Sequence, residues 1–380
     1  MFKEIISLAL AAMLTLPCAL TSADPGAESA VFAGTKAVAV LESTCLQTAI
    51  DYEADTVCNV AGLSRLPALT YVCEAFDKGL ISEDASVVVG DTAAGIGGPT
   101  AFISAGEKIQ AAALVKAAVM ITAGDATYAL AETAAGSATL AEKAIADILT
   151  ELNIGSGDFS LQTGKPSMTA KEVCALMARL ARSPTYCKYS NLTFDEITHE
   201  NGSKTELANP NKLIKGLEGC YAGSTGSSNE AGYCGAFAVT RGETSYVVAV
   251  LGAKNSGERF EAARDAANTA FSAYETIAAA KQGDVVASGI AVNGGMKRKV
   301  DAVSTKAVVL LVKKGGSWEV TTELPANIPA PVRKGDLIGY AVYSSNEGAQ
   351  VRVALAAAED VAEAGWGQLI SVIMRMWVHG

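Results

Sequence analysis

The sequence predicts an α/β fold with helices layered on a sheet, followed by a small all-β module and a terminal amphipathic helix. Three observations carry this. Strand-like and helix-like runs alternate from about residue 30 to 280, short Val/Ile runs broken by turn residues take over after Gln282-Gly283, and an apolar stripe at helical spacing closes the chain. The 380 residues suffice for two or three domains. With half of them apolar and 18% charged, they compose ordered globular units rather than a disordered chain. The predicted segments are 1–23, 24–283, 284–357 and 358–380.

Residues 1–23 read as an export signal. Lys3 supplies positive charge, Ile5 to Leu16 is an apolar run, and Thr21-Ser22-Ala23 ends on a small residue suited to cleavage. The run is too short to span a bilayer, and Pro17 disfavours a lipoprotein reading at Cys18. Ala37–Leu41 and Tyr246–Leu251 are short, β-branched apolar runs and predict buried strands. Residues 107–151, rich in Ala, Leu and Ile, predict two consecutive helices parting near Gly124-Asp125. Lys171–Arg182 is an amphipathic helix with Ser167 or Thr169 as its cap and Ser183-Pro184 as its stop. Glu258–Ala280 predicts a long Ala-rich helix.

Beyond residue 283, Val285–Ile290, Ala307–Val312, Leu337–Tyr343 and Val351–Leu355 predict strands of a small β module, with Pro325, Pro329 and Pro331 marking one long connection. Within residues 359–380, Trp366, Leu369, Ile370, Ile373, Met376 and Trp377 form one apolar stripe, which suits a helix lying on a membrane surface. The alternative is a helix docked on its own β module.

Composition also excludes some chemistries. A net charge of −10 argues against nucleic acid as a partner. The two histidines are His199, in a polar stretch, and His379, so a Ser-His-Asp relay is poorly supported. Neither CxxC nor HExxH occurs, and no metal or cofactor is expected. After cleavage seven cysteines remain. The shortest-loop pairing is Cys45–Cys58, Cys174–Cys187 and Cys220–Cys234, and buried reduced thiols are the alternative.

An ordered set of segments resembles one family. Arg65-Leu66-Pro67-Ala68-Leu69-Thr70 is similar to its approach to the nucleophile, and Gly97-Gly98 with Ala105-Gly106-Glu107-Lys108 to its GGS…PGE region. Asp125 to Glu132 resembles its NDA…ALAE helix, Asn209-Pro210-Asn211-Lys212-Leu213 its NxNKLL segment, and Ala231-Gly232-Tyr233-Cys234 its AGYC strand entry. Val248 to Ala253 resembles its VVLGA strand, with Arg259-Phe260 following. The family is that of the low-molecular-weight D-alanyl-D-alanine carboxypeptidases, the group of penicillin-binding proteins 5 and 6, and the resemblance covers roughly residues 30–380. It implies a penicillin-binding, transpeptidase-like domain with helices on a central antiparallel sheet, then the family's β domain and membrane-anchoring helix.

The resemblance also implies a chemistry. Family members acylate the serine of SxxK with the terminal D-Ala-D-Ala of the stem peptide, and the lysine one helical turn on takes its proton. An SxN motif contributes a hydroxyl and an amide, and a KTG strand sets a cation and a hydroxyl against the substrate carboxylate. In this chain the SxxK spacing falls on Ala68 and Tyr71, the SxN position on Thr122 and Gly124, and the KTG position on Tyr221, Ala222 and Gly223. Alanine offers no nucleophile, and the neutral phenol of tyrosine keeps its proton near pH 7.

Displaced substitutes are few. No serine is followed three residues later by lysine; Thr185 and Lys188 have the spacing, Ser227-Ser228-Asn229 repeats SxN, Lys204-Thr205 begins a KTG, and Cys73 and Cys220 are thiols near the motif positions. The expectation is a catalytically inactive homologue on the outer face of the cytoplasmic membrane, in the periplasm, binding peptidoglycan stem peptides or cell-wall enzymes. The alternative is an active carboxypeptidase with a displaced site.

Overall fold

The computed structural model describes residues 31–346 and 348–365, and the chain divides into two compact units between Tyr274 and Glu275. Besides two short two-stranded pairs, Cys58–Asn59 with Ser167–Met168 and Ser86–Val88 with Lys108–Gln110, the strands of the first unit are β1 (Ala37–Glu42), β2 (Thr48–Tyr52), β3 (Phe194–Thr198), β4 (Lys204–Ala208), β5 (Cys220–Ser228), β6 (Gly232–Arg241) and β7 (Thr244–Ala253). β3 and β4 pair with each other, and the other five form one antiparallel sheet in the order β2-β1-β7-β6-β5. The two runs read as strands are neighbours, Ala37 opposite Leu251 and Glu42 opposite Tyr246. Both are buried along their length, which is why they read as unbroken apolar runs rather than as alternating ones.

The helices that matter for the site are α1 (Leu66–Asp77), α2 (Ala111–Ile121), α3 (Gly124–Ala135), α4 (Ala138–Glu151), α5 (Ala170–Leu180), α6 (Pro184–Ser190) and α7 (Ser256–Ala273). α7 covers one face of the sheet: its Phe260 and Phe271 rings sit 5.9 and 4.7 Å from those of Phe237 and Tyr246. α5 covers the opposite face, with Cys174 Sγ 3.5 Å from the carbonyl oxygens of both Ala39 and Val247. α1 lies in the helical layer behind α5 and also packs on α3 and α4. A capping box opens α5, in which the Thr169 hydroxyl accepts from the Glu172 N–H and the Glu172 carboxylate from the Thr169 N–H.

Residues 107–151 form three helices rather than two. The second break is at Gly136, in the left-handed region at φ 84°, followed by Ser137, whose hydroxyl caps α4. The long helix expected to run to Ala280 ends at Ala273. The next seven residues are β8 (Tyr274–Ala280), because pairing with β11 (Val308–Lys313) outweighs the helical propensity of its alanines.

The second unit adds β9 (Val285–Asn293), β10 (Lys299–Ser304), β12 (Trp318–Glu323), β13 (Asn327–Pro329), β14 (Leu337–Ser345) and β15 (Gln350–Ala357), in a six-stranded sheet ordered β12-β14-β15-β10-β9-β13. Its core joins Val300, Leu310, Ala341, Val353 and Leu355. Residues 359–365 are not the start of a helix. Val361 is buried and exchanges two backbone hydrogen bonds with Val332, at 2.8 and 2.9 Å, so its side chain belongs to the β core. The rest of the apolar stripe, 366–380, and the export signal, 1–23, lie outside the described residues. Among the described residues no helix is long and apolar enough to cross a membrane.

Candidate active site

The site expected from the motifs lies where the turn before α1, the α2–α3 connection and strand β5 converge. A 3-10 turn (Ala61–Arg65) leads into α1, and Pro67 occupies the first turn, where its missing N–H costs nothing. Ala68 is 1% exposed and presents a methyl group. Thr70 is fully buried and turns its hydroxyl back onto the Leu66 carbonyl at 2.8 Å, out of reach as a nucleophile. Tyr71 is half-buried, and burial pushes its phenol upward, so it holds its proton.

The α2–α3 connection is shaped by Thr122, a buried residue in the left-handed region at φ 57° that ends α2. Asp125 is 1% exposed; its carboxylate accepts from the N–H groups of Ala101, at 2.9 Å, and of Ala126, at 2.8 Å. Together with Gly124 N–H donating to the Pro99 carbonyl at 2.9 Å, this ties the 97–103 loop to the start of α3. Gly124 leaves the space of a side chain empty, and Arg65 fills it. A Cβ built on Gly124 would stand 2.9 Å from Arg65 Cζ and 3.0 Å from its Nη2. The guanidinium thus occupies the volume into which an SxN asparagine would extend. Burial pulls Arg65 below the usual arginine range, and the Asp125 carboxylate acts against that pull.

Strand β5 reaches this place with Ser224-Thr225-Gly226, three residues beyond the expected position. A Cβ on Gly226 would stand 2.4 Å from Gly62 N and 2.7 Å from Gly62 Cα, so the strand and the turn before α1 touch backbone to backbone. Tyr221 instead neighbours Thr240 and Ser245 at the far end of β5, and Ala222 is buried in the core. Gly223 packs inward, a Cβ there meeting Asn211 Nδ2 and Phe237 Cδ1 at 2.7 Å. The Ser224 hydroxyl is within 2.9 Å of the Tyr186 hydroxyl, both buried. Ser224-Thr225-Gly226 matches two letters of KTG where Tyr221-Ala222-Gly223 matches one, and that is the sequence signal for it. Arg65 carried no signal at all, since its role depends on the empty place at position 124.

The displaced substitutes do not assemble. Thr185 is held by Asp77 at 2.6 Å, Lys188 pairs with Glu83, and Ser227-Ser228-Asn229 is exposed, its serines ending β5 and its asparagine opening the turn to β6. All seven cysteines in the described residues are free thiols, so the shortest-loop pairing does not form. Cys73 is fully buried with its thiol pushed well up by burial, and Cys220 is pushed up to about 11, likewise by burial; both are therefore inert as thiolates.

His199 is not solvated, as its polar surroundings suggest. Its Nδ1 lies 2.8 Å from Glu107 Oε1 and its Nε2 2.8 Å from Thr205 Oγ1, which fastens the β3–β4 hairpin to the loop before α2. Beside it opens a pocket of about 740 Å³ lined by Lys108, Lys116, Tyr189, Asp195 and His199. None of Ala68, Arg65, Gly124 or Thr225 lines it, so this cavity is separate from the motif site.

Comparison with known proteins bears on the family and the fold. A family model described as D-alanyl-D-alanine carboxypeptidase matches residues 27–255, and one for the penicillin-binding protein 5 C-terminal domain matches residues 274–363. The D-alanyl-D-alanine carboxypeptidase DacF of Bacillus subtilis (strain 168) is 26% identical over 324 residues, 83% of either chain. DacC of Escherichia coli (strain K12), also a D-alanyl-D-alanine carboxypeptidase, is 24% identical over 343 residues, 86% of this chain and 84% of its own. Penicillin binding protein 5 from Haemophilus influenzae shares the fold with a TM-score of 0.75, at 19% identity over 87% of this chain and 98% of its own. With both units matched in order and the first over most of its length, the chain belongs to the D-alanyl-D-alanine carboxypeptidase family.

Proposed function

We propose that this chain is a catalytically inactive member of the family that binds peptidoglycan stem peptides, or the enzymes acting on them, without cleaving them. One observation carries the reading: the first turn of α1 offers no nucleophile, and Arg65 fills the place of the SxN amide. The KTG counterpart on this reading is Ser224-Thr225-Gly226, which keeps the hydroxyl and the glycine but not the cation. Without a residue to acylate, the covalent route loses several orders of magnitude in rate. The relatives DacF and DacC are D-alanyl-D-alanine carboxypeptidases, and this supports a cell-wall peptide as the bound class. The expected export signal at 1–23 and the apolar stripe at 366–380 support a periplasmic protein resting on the outer face of the cytoplasmic membrane.

The test is to incubate the purified chain with a fluorescent penicillin and with a peptide ending in D-Ala-D-Ala. No labelled band and no released D-alanine are expected. A β-lactam adduct located by mass spectrometry on any residue overturns the reading and restores an ordinary carboxypeptidase. Ser64 is the serine in this turn that such an adduct would implicate. It is 8% exposed, and the nearby Lys165 donates its backbone N–H to the Ser64 carbonyl while its ammonium pairs with Asp158, so the Lys165 amine is not placed to activate the hydroxyl.

A further inference from the structure

We propose that Arg65 is the anion-recognition residue of this site and that it takes the terminal carboxylate of a peptide, a role that rests on the non-cleaving binding reading above. Several other buried or half-buried cations of the first unit are ion-paired: Arg179 with Glu74 and Glu151, Lys171 with Asp51 and Asp55, and Lys165 with Asp158. Arg259, buried and without an ion pair, places its hydrogen bonds on the carbonyls of Gly226 and Cys234 and on the Ser256 hydroxyl. Arg65 has no ion pair among the described residues. Its one hydrogen bond is from Nη1 to the Leu161 carbonyl at 3.4 Å, long for a charged donor.

The Asp125 carboxylate acts on Arg65 through its charge but makes no hydrogen bond or ion pair with it. Both oxygens of Asp125 are taken by backbone N–H groups of Ala101, Ile103 and Ala126. A guanidinium carries five N–H donors, and a half-buried one with most of them unmet is a place for an incoming acceptor. The loss of a cation from the β5 motif, where serine stands at 224, leaves Arg65 as the positive charge on the facing wall.

Position supports the same conclusion. Residues three apart in a 3-10 turn eclipse one another, so Arg65 projects from the same face as Gly62. Gly62 is the residue that abuts Gly226 of β5. Arg65 therefore stands one turn along from the contact between the turn and an edge strand, with the Thr225 hydroxyl on that strand. A single planar cation matches a monoanion that accepts two parallel N–H bonds, which is a carboxylate; a phosphate dianion would call for a second cation.

The experiment titrates the full chain with an N-acetylated tripeptide ending in D-Ala-D-Ala, once as the free acid and once as the C-terminal amide, by isothermal calorimetry. The acid is expected to bind at least about 10-fold more tightly than the amide, the scale of one charge-assisted hydrogen-bonded pair. R65M should abolish that preference, and R65K should keep part of it. Equal binding of acid and amide by the parent chain, an unchanged preference in R65M, or no binding of either peptide overturns the proposal. Should R65M fail to fold, the acid-to-amide ratio of the parent decides alone. Cleavage of the tripeptide, read separately as D-alanine release, would overturn the non-cleaving reading whichever way the carboxylate comparison falls.

Discussion

Restoring an asparagine at position 124 should destabilise the first unit unless Arg65 is shortened at the same time. Already at the Cβ, a side chain there meets Ile96 Cγ2 at 2.8 Å, Arg65 Cζ at 2.9 Å and Arg65 Nη2 at 3.0 Å. Non-bonded carbons prefer about 3.5–4.0 Å, so the two carbon contacts are each short by more than about half an ångström. Overpacking of this kind costs about 1–3 kcal/mol. The arginine end is flexible and swings away, which puts G124N toward the lower part of that range, and replacing glycine within a helix returns a few tenths. In an R65A background the guanidinium contacts vanish and Ile96 alone remains.

The double-mutant cycle should therefore show a coupling of about 1 kcal/mol, with G124N costing less when Arg65 is absent. The three tryptophans stand at 318, 366 and 377, beyond the first unit, so fluorescence would follow the wrong part of the chain. Urea unfolding followed by far-UV circular dichroism is the suitable assay. If the two substitutions add to within about 0.3 kcal/mol, Arg65 does not occupy the asparagine space and the account of the remodelled cleft fails.

Replacing His199 with alanine should loosen the β3–β4 hairpin by about 1–3 kcal/mol, since the buried Glu107 carboxylate loses one partner and Thr205 another. Amide exchange would register this as faster exchange across 194–208, and unchanged protection would count against it. Burial works to raise the Glu74 carboxyl, but hydrogen bonds from Arg179 and Lys78 prevail and hold it below the usual carboxylate range. A depressed folded value contributes stability above the unfolded pKa and loses it as the pH falls through the folded one. E74Q should therefore flatten the stability curve between about pH 5 and 3, and parallel curves for parent and variant would refute this. Deleting residues 366–380 should move the protein from the membrane to the soluble fraction; continued sedimentation with membranes would show that the apolar stripe is not an anchor.

Much of the architecture was legible along the chain. The 37–41 and 246–251 runs could be read because burial on both faces leaves no polar alternation, and Thr169 with Glu172 encodes its own cap within four residues. Local patterns failed where distant pairing decided the outcome. Tyr274–Ala280 reads as helix until β11 is there to bond it, and residues 359–365 read as helix until Val332 claims Val361.

That Ala68 and Tyr71 stand at the SxxK spacing was readable from sequence, because residue types at a fixed spacing need no coordinates. What the tertiary structure alone decided is which residues surround those positions. Which three residues of β5 meet the turn before α1 is a matter of strand register, set by Gly62 against Gly226. That Arg65 fills the space a side chain at 124 would take depends on a glycine 59 positions away, 124 against 65, and only folding brings the two together.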